Sequence, residues 1–320
     1  MFQQFFKLKS LPSSFNIAKI TPIYKGKGSR SDPGSYRPIS TLPLLSKLLE
    51  KVIYLKLYGF VESNNLFDPK QHGFRKFRSC QSALSLFLHD LASHLDPPNM
   101  KAGVVFVDLR KAFDSVRPLK LLLLFFDIEI PDLILLYLCM YFTSRKFSIK
   151  LLDFFSELFD LFMGCPQGGI LSPILFSLYI NGVGKSLKLA FYWLFADDMS
   201  FYLFNTDTSQ LKSDLSNILE SLNQWFRDKD LTINFDKTKY MIFAKTASQL
   251  IEIQGTGSGV TCETHEIEQV SEFKYLGVTF DPTLTFQNHF ERVLSRVSAA
   301  VGCLIIVLSS VTSILGLSKI

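Results

Sequence analysis

Leu189-Ala190-Phe191-Tyr192-Trp193-Leu194-Phe195-Ala196-Asp197-Asp198-Met199-Ser200-Phe201-Tyr202-Leu203-Phe204 sets two adjacent carboxylates between two apolar runs. The runs read as the strands of a hairpin with Asp197 and Asp198 at its tip. Like charges side by side in apolar surroundings repel and lack partners, so the pattern predicts a cation at that tip. Asp-Asp is also ordinary chemistry for a solvated turn, where aspartate bonds its own backbone. A third acid sharpens the choice: Asp108 ends the run Val104-Val105-Phe106-Val107, so a second buried-type strand also delivers a carboxylate at its end. Three hard oxygen donors suit Mg2+, and a pair of such ions is the usual apparatus of in-line phosphoryl or nucleotidyl transfer.

Two further segments stand in order with the hairpin at domain-scale intervals. They are Val107-Asp108-Leu109-Arg110-Lys111-Ala112-Phe113-Asp114 and Gly164-Cys165-Pro166-Gln167-Gly168-Gly169-Ile170-Leu171-Ser172-Pro173. Upstream lie Ile23-Tyr24-Lys25-Gly26-Lys27-Gly28, Tyr36-Arg37-Pro38-Ile39-Ser40 and Gln71-His72-Gly73-Phe74-Arg75; downstream lie Asn234-Phe235-Asp236-Lys237-Thr238 and Tyr275-Leu276-Gly277. In this order the motifs resemble the reverse transcriptase of non-long-terminal-repeat (LINE-like) retrotransposons over nearly the whole chain. Gly169 departs from the family's small hydroxyl residue after Pro-Gln-Gly and Cys165 from its valine-like residue before it, and residues 125–130 lack a glycine usual there.

The resemblance implies an α+β right-hand polymerase: an antiparallel palm sheet of split βαβ topology, helical fingers and a truncated helical thumb. It divides the chain into fingers (1–100), the first catalytic palm strand (101–118), fingers and palm helices (119–163), palm with the Asp-Asp hairpin and primer grip (164–282) and the start of a thumb (283–320). It implies RNA-templated addition of deoxynucleotides to a primer 3′ end with two Mg2+ ions, Mn2+ being the substitute. RNA template, DNA primer and deoxynucleoside triphosphates are then the partners. Asp108 and Asp197 are the implied metal ligands, with Asp198 in support and the Leu109 carbonyl as a further donor. Phe113, five residues past Asp108, is the implied steric gate against a 2′-hydroxyl. Lys25, Lys27 and Arg37 are implied at the triphosphate, Gln167 and Gly168 at the nucleotide pocket, and Lys237 as general acid for pyrophosphate. Tyr275, Leu276 and Gly277 form the implied primer grip, while Asp114 reads as a structural acid at a helix start.

Composition agrees with a nucleic-acid partner. Residues 1–80 hold 14 Lys or Arg against Asp32, Glu50, Glu62 and Asp68, an excess of ten in a chain whose formal charge is only +5. Such a basic quarter suits a grip on phosphates, as it would suit a solvated surface. Five scattered cysteines without a Cys-x-x-Cys pair predict free thiols in a reducing compartment and no structural zinc; His265 near Cys262 reads as a surface loop. No signal peptide opens the chain, so the expected location is intracellular, nucleus or cytoplasm, and not secreted. Ala299 to Leu317 is uncharged and long enough on paper to span a bilayer, but four Ser or Thr and two Gly weaken insertion, and a thumb helix is preferred.

Periodicity predicts helices from near Leu44, over Cys80 to Leu95, twice within 119–143 with a break at Pro131, from an N-cap at Ser172, and from Asp207 through the stripe Leu211, Leu215, Ile218, Leu219, Leu222, Trp225 and Phe226. Strands are predicted over Gly103 to Asp108, Leu231 to Phe235 and Tyr240 to Ala244. Three rivals share parts of this reading. They are an inert retrotransposon remnant that at most binds nucleic acid, a group II intron maturase-like protein, and a membrane-tethered protein whose acids are incidental.

Overall fold

The computed structural model describes residues 5, 7–143, 145–246, 249–250 and 259–314. The chain opens with strands β1 (Ile17–Tyr24) and β2 (Tyr36–Thr41), then helices α1 (Leu44–Ser63) and α2 (Cys80–His94). Strand β3 (Lys101–Val107) is followed by α3 (Pro118–Asp127), α4 (Asp132–Phe142), β4 (Lys146–Leu151), and the two-residue strands β5 (Phe154–Phe155) and β6 (Phe159–Asp160). Helix α5 (Ser172–Tyr179) leads into the hairpin β7 (Phe191–Phe195) and β8 (Asp198–Asn205), then α6 (Thr208–Asp228) and β9 (Lys239–Ala244). The short strands β10 (Thr261–Cys262), β11 (His265–Glu266), β12 (Glu268–Gln269), β13 (Phe273–Tyr275) and β14 (Val278–Phe280) precede the 28-residue helix α7 (Gln287–Ile314).

The central sheet has the order β12-β9-β3-β8-β7, with β3 antiparallel to both β8 and β9 and only the short β12 running parallel to its neighbour. Every residue of β3 is buried, because both faces of this sheet are covered. Val105, Val107, Met199 and Phe201 face one core, shared with α5 and α6. Ala102, Val104, Phe106 and Tyr202 face a second core, built with Leu84, Phe87 and Leu91 of α2 and Tyr275 and Phe280 of the β13–β14 hairpin. Strand alternation, two-residue period, thus divides the apolar residues between two layers. The split βαβ palm expected from sequence is the observed architecture.

Helix α6 forms as its pattern demands: Asp207 accepts N–H bonds from Ser209 and Gln210 at the cap, and Leu211, Leu215, Ile218, Leu219, Leu222 and Phe226 are buried on one stripe, with Trp225 half-buried. Helices α3 and α4 break around Pro131, as expected. Two expectations need correction. Leu231 to Phe235 is no strand; it makes a single bridge, Ile233 to Leu109, because the segment is spent wrapping Asp108. Ser172 is the first residue of α5 and not its cap, its hydroxyl donating instead to the Pro166 carbonyl at 2.7 Å. In the N-terminal region β1 pairs with β2 and, in parallel, with β4, forming a mixed sheet.

All five cysteines are free thiols, and His265 stacks on Phe235 at the exposed β11. Helix α7 rests on β14 through Arg292, which bonds Thr279 and Glu272, and leaves Phe290, Val293, Leu294 and Val297 exposed. Among the described residues no helix is long and apolar enough to cross a membrane; of the segment 299–317, residues 315–317 lie outside those described.

Candidate active site

Asp108 leaves the end of β3 half-buried, and the segment after α6 is folded around it. Its backbone N–H donates to the Thr238 hydroxyl at 3.2 Å, its carbonyl accepts from Asn234 N–H at 2.8 Å, and its Oδ2 accepts from Asn234 Nδ2 at 3.1 Å. Lys237 Nζ stands 3.5 Å from the same oxygen. The Asn234-Phe235-Asp236-Lys237-Thr238 motif is therefore the seat of the first acid. Asn234 and the fully buried Thr238 were not singled out from sequence, although they lie inside a quoted motif. Leu109, next along, accepts no hydrogen bond at its carbonyl among the described residues.

The second pair of acids is split by the hairpin. Phe195 pairs with Asp198, so only Ala196 and Asp197 form the turn, and Asp198 is already the first residue of β8. Val107 opposite Met199 in register brings Asp108 beside Asp198. Both residues at the hairpin are exposed, yet the protein packed around their carboxylates costs them part of their hydration. Burial, reinforced by the charges of Asp197 and then Asp108, pushes Asp198 up to about 6. Burial also raises Asp197, with Asp108 adding to it and the residue's own N–H opposing. The three acids thus feel one another, and Lys237 is the cation placed closest to them.

A cleft of about 490 Å³ gathers Asp108, Asp198, Lys237, Lys274, Tyr275 and Leu276 along its wall. Asp197 stands at the turn, outside that wall. The β13–β14 hairpin turns through Leu276 and Gly277, both at positive φ (46° and 92°), a tight two-residue turn that suits glycine at its second position. Tyr275, expected to pack under a primer, is 4% exposed: its ring lies against Phe87 and Phe106, and its hydroxyl accepts from Ser200 Oγ at 3.1 Å. Tyr275 anchors the hairpin to the sheet, and Leu276 and Gly277 present it.

The donor set is all oxygen, which suits a hard divalent cation over a soft one. The mutual repulsion of the acids and the unclaimed Leu109 carbonyl fit such an ion. Among the described residues, however, no three His, Cys, Asp or Glu side chains stand grouped to hold a metal as they are. Asn234 and Lys237 both address Asp108 Oδ2, so closing the set requires that oxygen to be shared or released.

The other candidates form a second cluster. Gln167 donates through Nε2 to both Asp114 oxygens at 3.1 and 3.2 Å, and its carbonyl accepts from Ser40 N–H at 2.7 Å. Burial raises Asp114 while that amide opposes the rise. Gly168 has φ +118°, and a Cβ there would fall 2.5 Å from the Ser40 carbonyl oxygen; the close approach it permits is to β2. The loop is held from beneath by buried Glu50, whose Oε2 accepts from Ile170 N–H at 2.7 Å. Burial pushes Glu50 up, while the Ile170 N–H and the charge of Arg145 oppose it. Phe113 lies half-buried in the short 3-10 helix Ala112–Ser115, its ring 4.7 Å from Phe176 and 6.5 Å from Phe74. Lys25, Lys27 and Arg37 sit on the β1–β2 hairpin; Lys25 Nζ donates to the Gly34 carbonyl, while the side chains of Lys27 and Arg37 are exposed without a hydrogen-bond or ion-pair partner among the described residues. None of the three lines the acid cleft.

Residues 23–280 match the family profile described as "Reverse transcriptase (RNA-dependent DNA polymerase)". Among curated proteins, the "Probable RNA-directed DNA polymerase from transposon X-element" of Drosophila melanogaster is 26% identical over 94% of this chain and 33% of its own length. The "RNA-directed DNA polymerase from mobile element jockey" of the same organism is 26% identical over 88% of this chain and 31% of its own length. The chain thus spans about a third of the length of the curated relatives it matches. Among solved structures, telomerase from Candida tropicalis superposes with a TM-score of 0.54 at 14% identity, over 86% of this chain and 45% of that one. That likeness is one of fold.

Proposed function

The chain belongs to the reverse transcriptase (RNA-dependent DNA polymerase) family, in its non-long-terminal-repeat retrotransposon branch, and from that premise we propose that it extends a primer 3′ end with deoxynucleotides under the direction of an RNA template. One observation carries the reading: the ends of adjacent strands β3 and β8 bring carboxylates into a cleft shared with Lys237 and the β13–β14 hairpin. Enzymes of this family use divalent metal ions. Mg2+, with Mn2+ as substitute, would when bound activate the primer hydroxyl and neutralise phosphate charge.

Asp108 and Asp197 would hold the ions, with Asp198 and the Leu109 carbonyl in support. Lys237, with Nζ 3.5 Å from Asp108, would serve as the general acid for departing pyrophosphate. Leu276 and Gly277 orient the primer end at the cleft, while Gln167, Lys25, Lys27 and Arg37 receive the triphosphate. Phe113, steadied by Phe176, excludes a 2′-hydroxyl. RNA, primer and deoxynucleoside triphosphates are met inside the cell, in nucleus or cytoplasm. The test is primer extension on an RNA template by the purified chain beside Asp197→Asn. Extension by the wild type and none by the variant is the expected result. A wild-type chain inert in both Mg2+ and Mn2+ would overturn the proposal in favour of an inert remnant.

A further inference from the structure

Residues 70–73, between α1 and α2, run alongside β7 and meet the Asp-Asp turn in three independent ways. The first is backbone pairing: Leu194 N–H donates to the Lys70 carbonyl at 3.1 Å, and His72 N–H donates to the Leu194 carbonyl at 2.8 Å, which makes Gln71 a parallel bridge partner of Leu194. The second is a side chain. Gln71 is 1% exposed, and its Oε1 accepts from Ala196 N–H at 3.1 Å and from Gly73 N–H at 2.8 Å. The third is clearance. A Cβ on Gly73 would lie 2.2 Å from Ala196 N and 2.8 Å from the Phe195 carbonyl carbon, both backbone atoms that cannot step aside as a flexible side chain would.

All three contacts converge on the residues just before Asp197. Ala196 is held at φ +59°, a left-handed conformation that residues with a Cβ adopt at a cost, and surroundings must impose it. Gln71 does so at the cost of its own amide: Nε2 is buried without a hydrogen-bond partner, so the side chain is placed by what its oxygen holds. The segment is fixed in turn by His72, whose Nδ1 is 2.9 Å from Ser82 Oγ on α2 and whose ring stands edge-on to Trp193 of β7.

We propose that Gln71 and Gly73 are positioning residues for nucleotide addition: Gln71 Oε1 pins the Ala196 N–H, and the missing Gly73 side chain lets the pin close, so that Asp197 is aimed from the N-terminal segment as well as by its own hairpin. The inference rests on the reading of that turn as catalytic. Neither residue touches a reacting atom. Their effect is on placement, where an error near 1 Å costs roughly a hundredfold in rate.

The test uses the full 320-residue chain with Gln71→Met, which keeps the volume and removes the acceptor, and separately Gly73→Ala. Amide hydrogen exchange and steady-state primer extension are measured on each. The expected result is exchange at Ala196 faster by about tenfold or more, amides of α6 unchanged, and kcat reduced by about tenfold or more with the nucleotide KM within about twofold. Unchanged Ala196 exchange would overturn the pin. Faster exchange with unchanged kcat would overturn its part in the reaction. Exchange rising throughout the chain with loss of extension would reduce residues 70–73 to an edge cover for β7, which also overturns the proposal. If the wild type itself extends nothing, the catalytic reading falls, while the exchange measurements still decide whether the pin exists.

Discussion

Replacing Asp198 by Asn should make the protein more stable at neutral pH. In the native state burial, then Asp197, then Asp108 raise this carboxyl from its ordinary 3.8 to about 6, so the fold disfavours the ionised form. The sign follows from linkage: below 3.8 both native and unfolded chains carry the proton and nothing is lost, and stability then falls as pH rises toward and through about 6. At 1.36 kcal/mol per pH unit, the full interval is worth about 3 kcal/mol. The carboxylate reaches solvent, however, and water screens it, so about 1 kcal/mol is expected at pH 7.5, or roughly 2–4 °C in the unfolding midpoint. At pH 4 the gain should shrink to about a fifth of that. Thermal melts of wild type and Asp198→Asn at both pH values read the effect directly. Millimolar Mg2+ at pH 7.5 should narrow the gap, because an ion that binds only the native cluster stabilises the wild type more. A variant no more stable than wild type at pH 7.5, or a gain that does not shrink on acidification, would refute the picture of three crowded acids awaiting a cation.

Asp108→Asn and Asp197→Asn should each abolish extension, to below about a thousandth of wild type, while leaving the circular dichroism spectrum intact; near wild-type extension by either would remove that residue from the metal set. Phe113→Val should raise ribonucleotide incorporation relative to deoxynucleotide incorporation in single-nucleotide assays, and unchanged discrimination would leave Phe113 as packing for Phe176. Glu50→Ala strands the Ile170 N–H beneath the Gln167 loop and should cost about 3 kcal/mol in urea unfolding, with Glu50→Gln, which keeps an acceptor, costing clearly less. Equal losses in the two variants would show that Glu50 acts by filling space alone.

Much of this molecule was legible in one dimension. The continuous apolar run Val104-Val105-Phe106-Val107 demanded a strand buried on both faces, the stripe from Leu211 to Phe226 demanded α6, and acids closing apolar strands demanded a charged centre, because such patterns repeat over a few residues and depend on local geometry alone. What needed the tertiary structure depends on register between segments a hundred residues apart. Pairing of Phe195 with Asp198 put one acid at the turn and the other in the strand, and pairing of Val107 with Met199 set Asp108 beside the latter. Long-range packing buried Tyr275 in the second core, so that the hairpin meets the cleft mainly through Lys274 and Leu276. It bent the expected strand at Leu231 to Phe235 into the seat of Asp108, and it brought Gln71 onto Ala196 across 125 positions. Local propensity cannot determine such contacts, since the hydrogen bonds that fix them form only once both cores have closed.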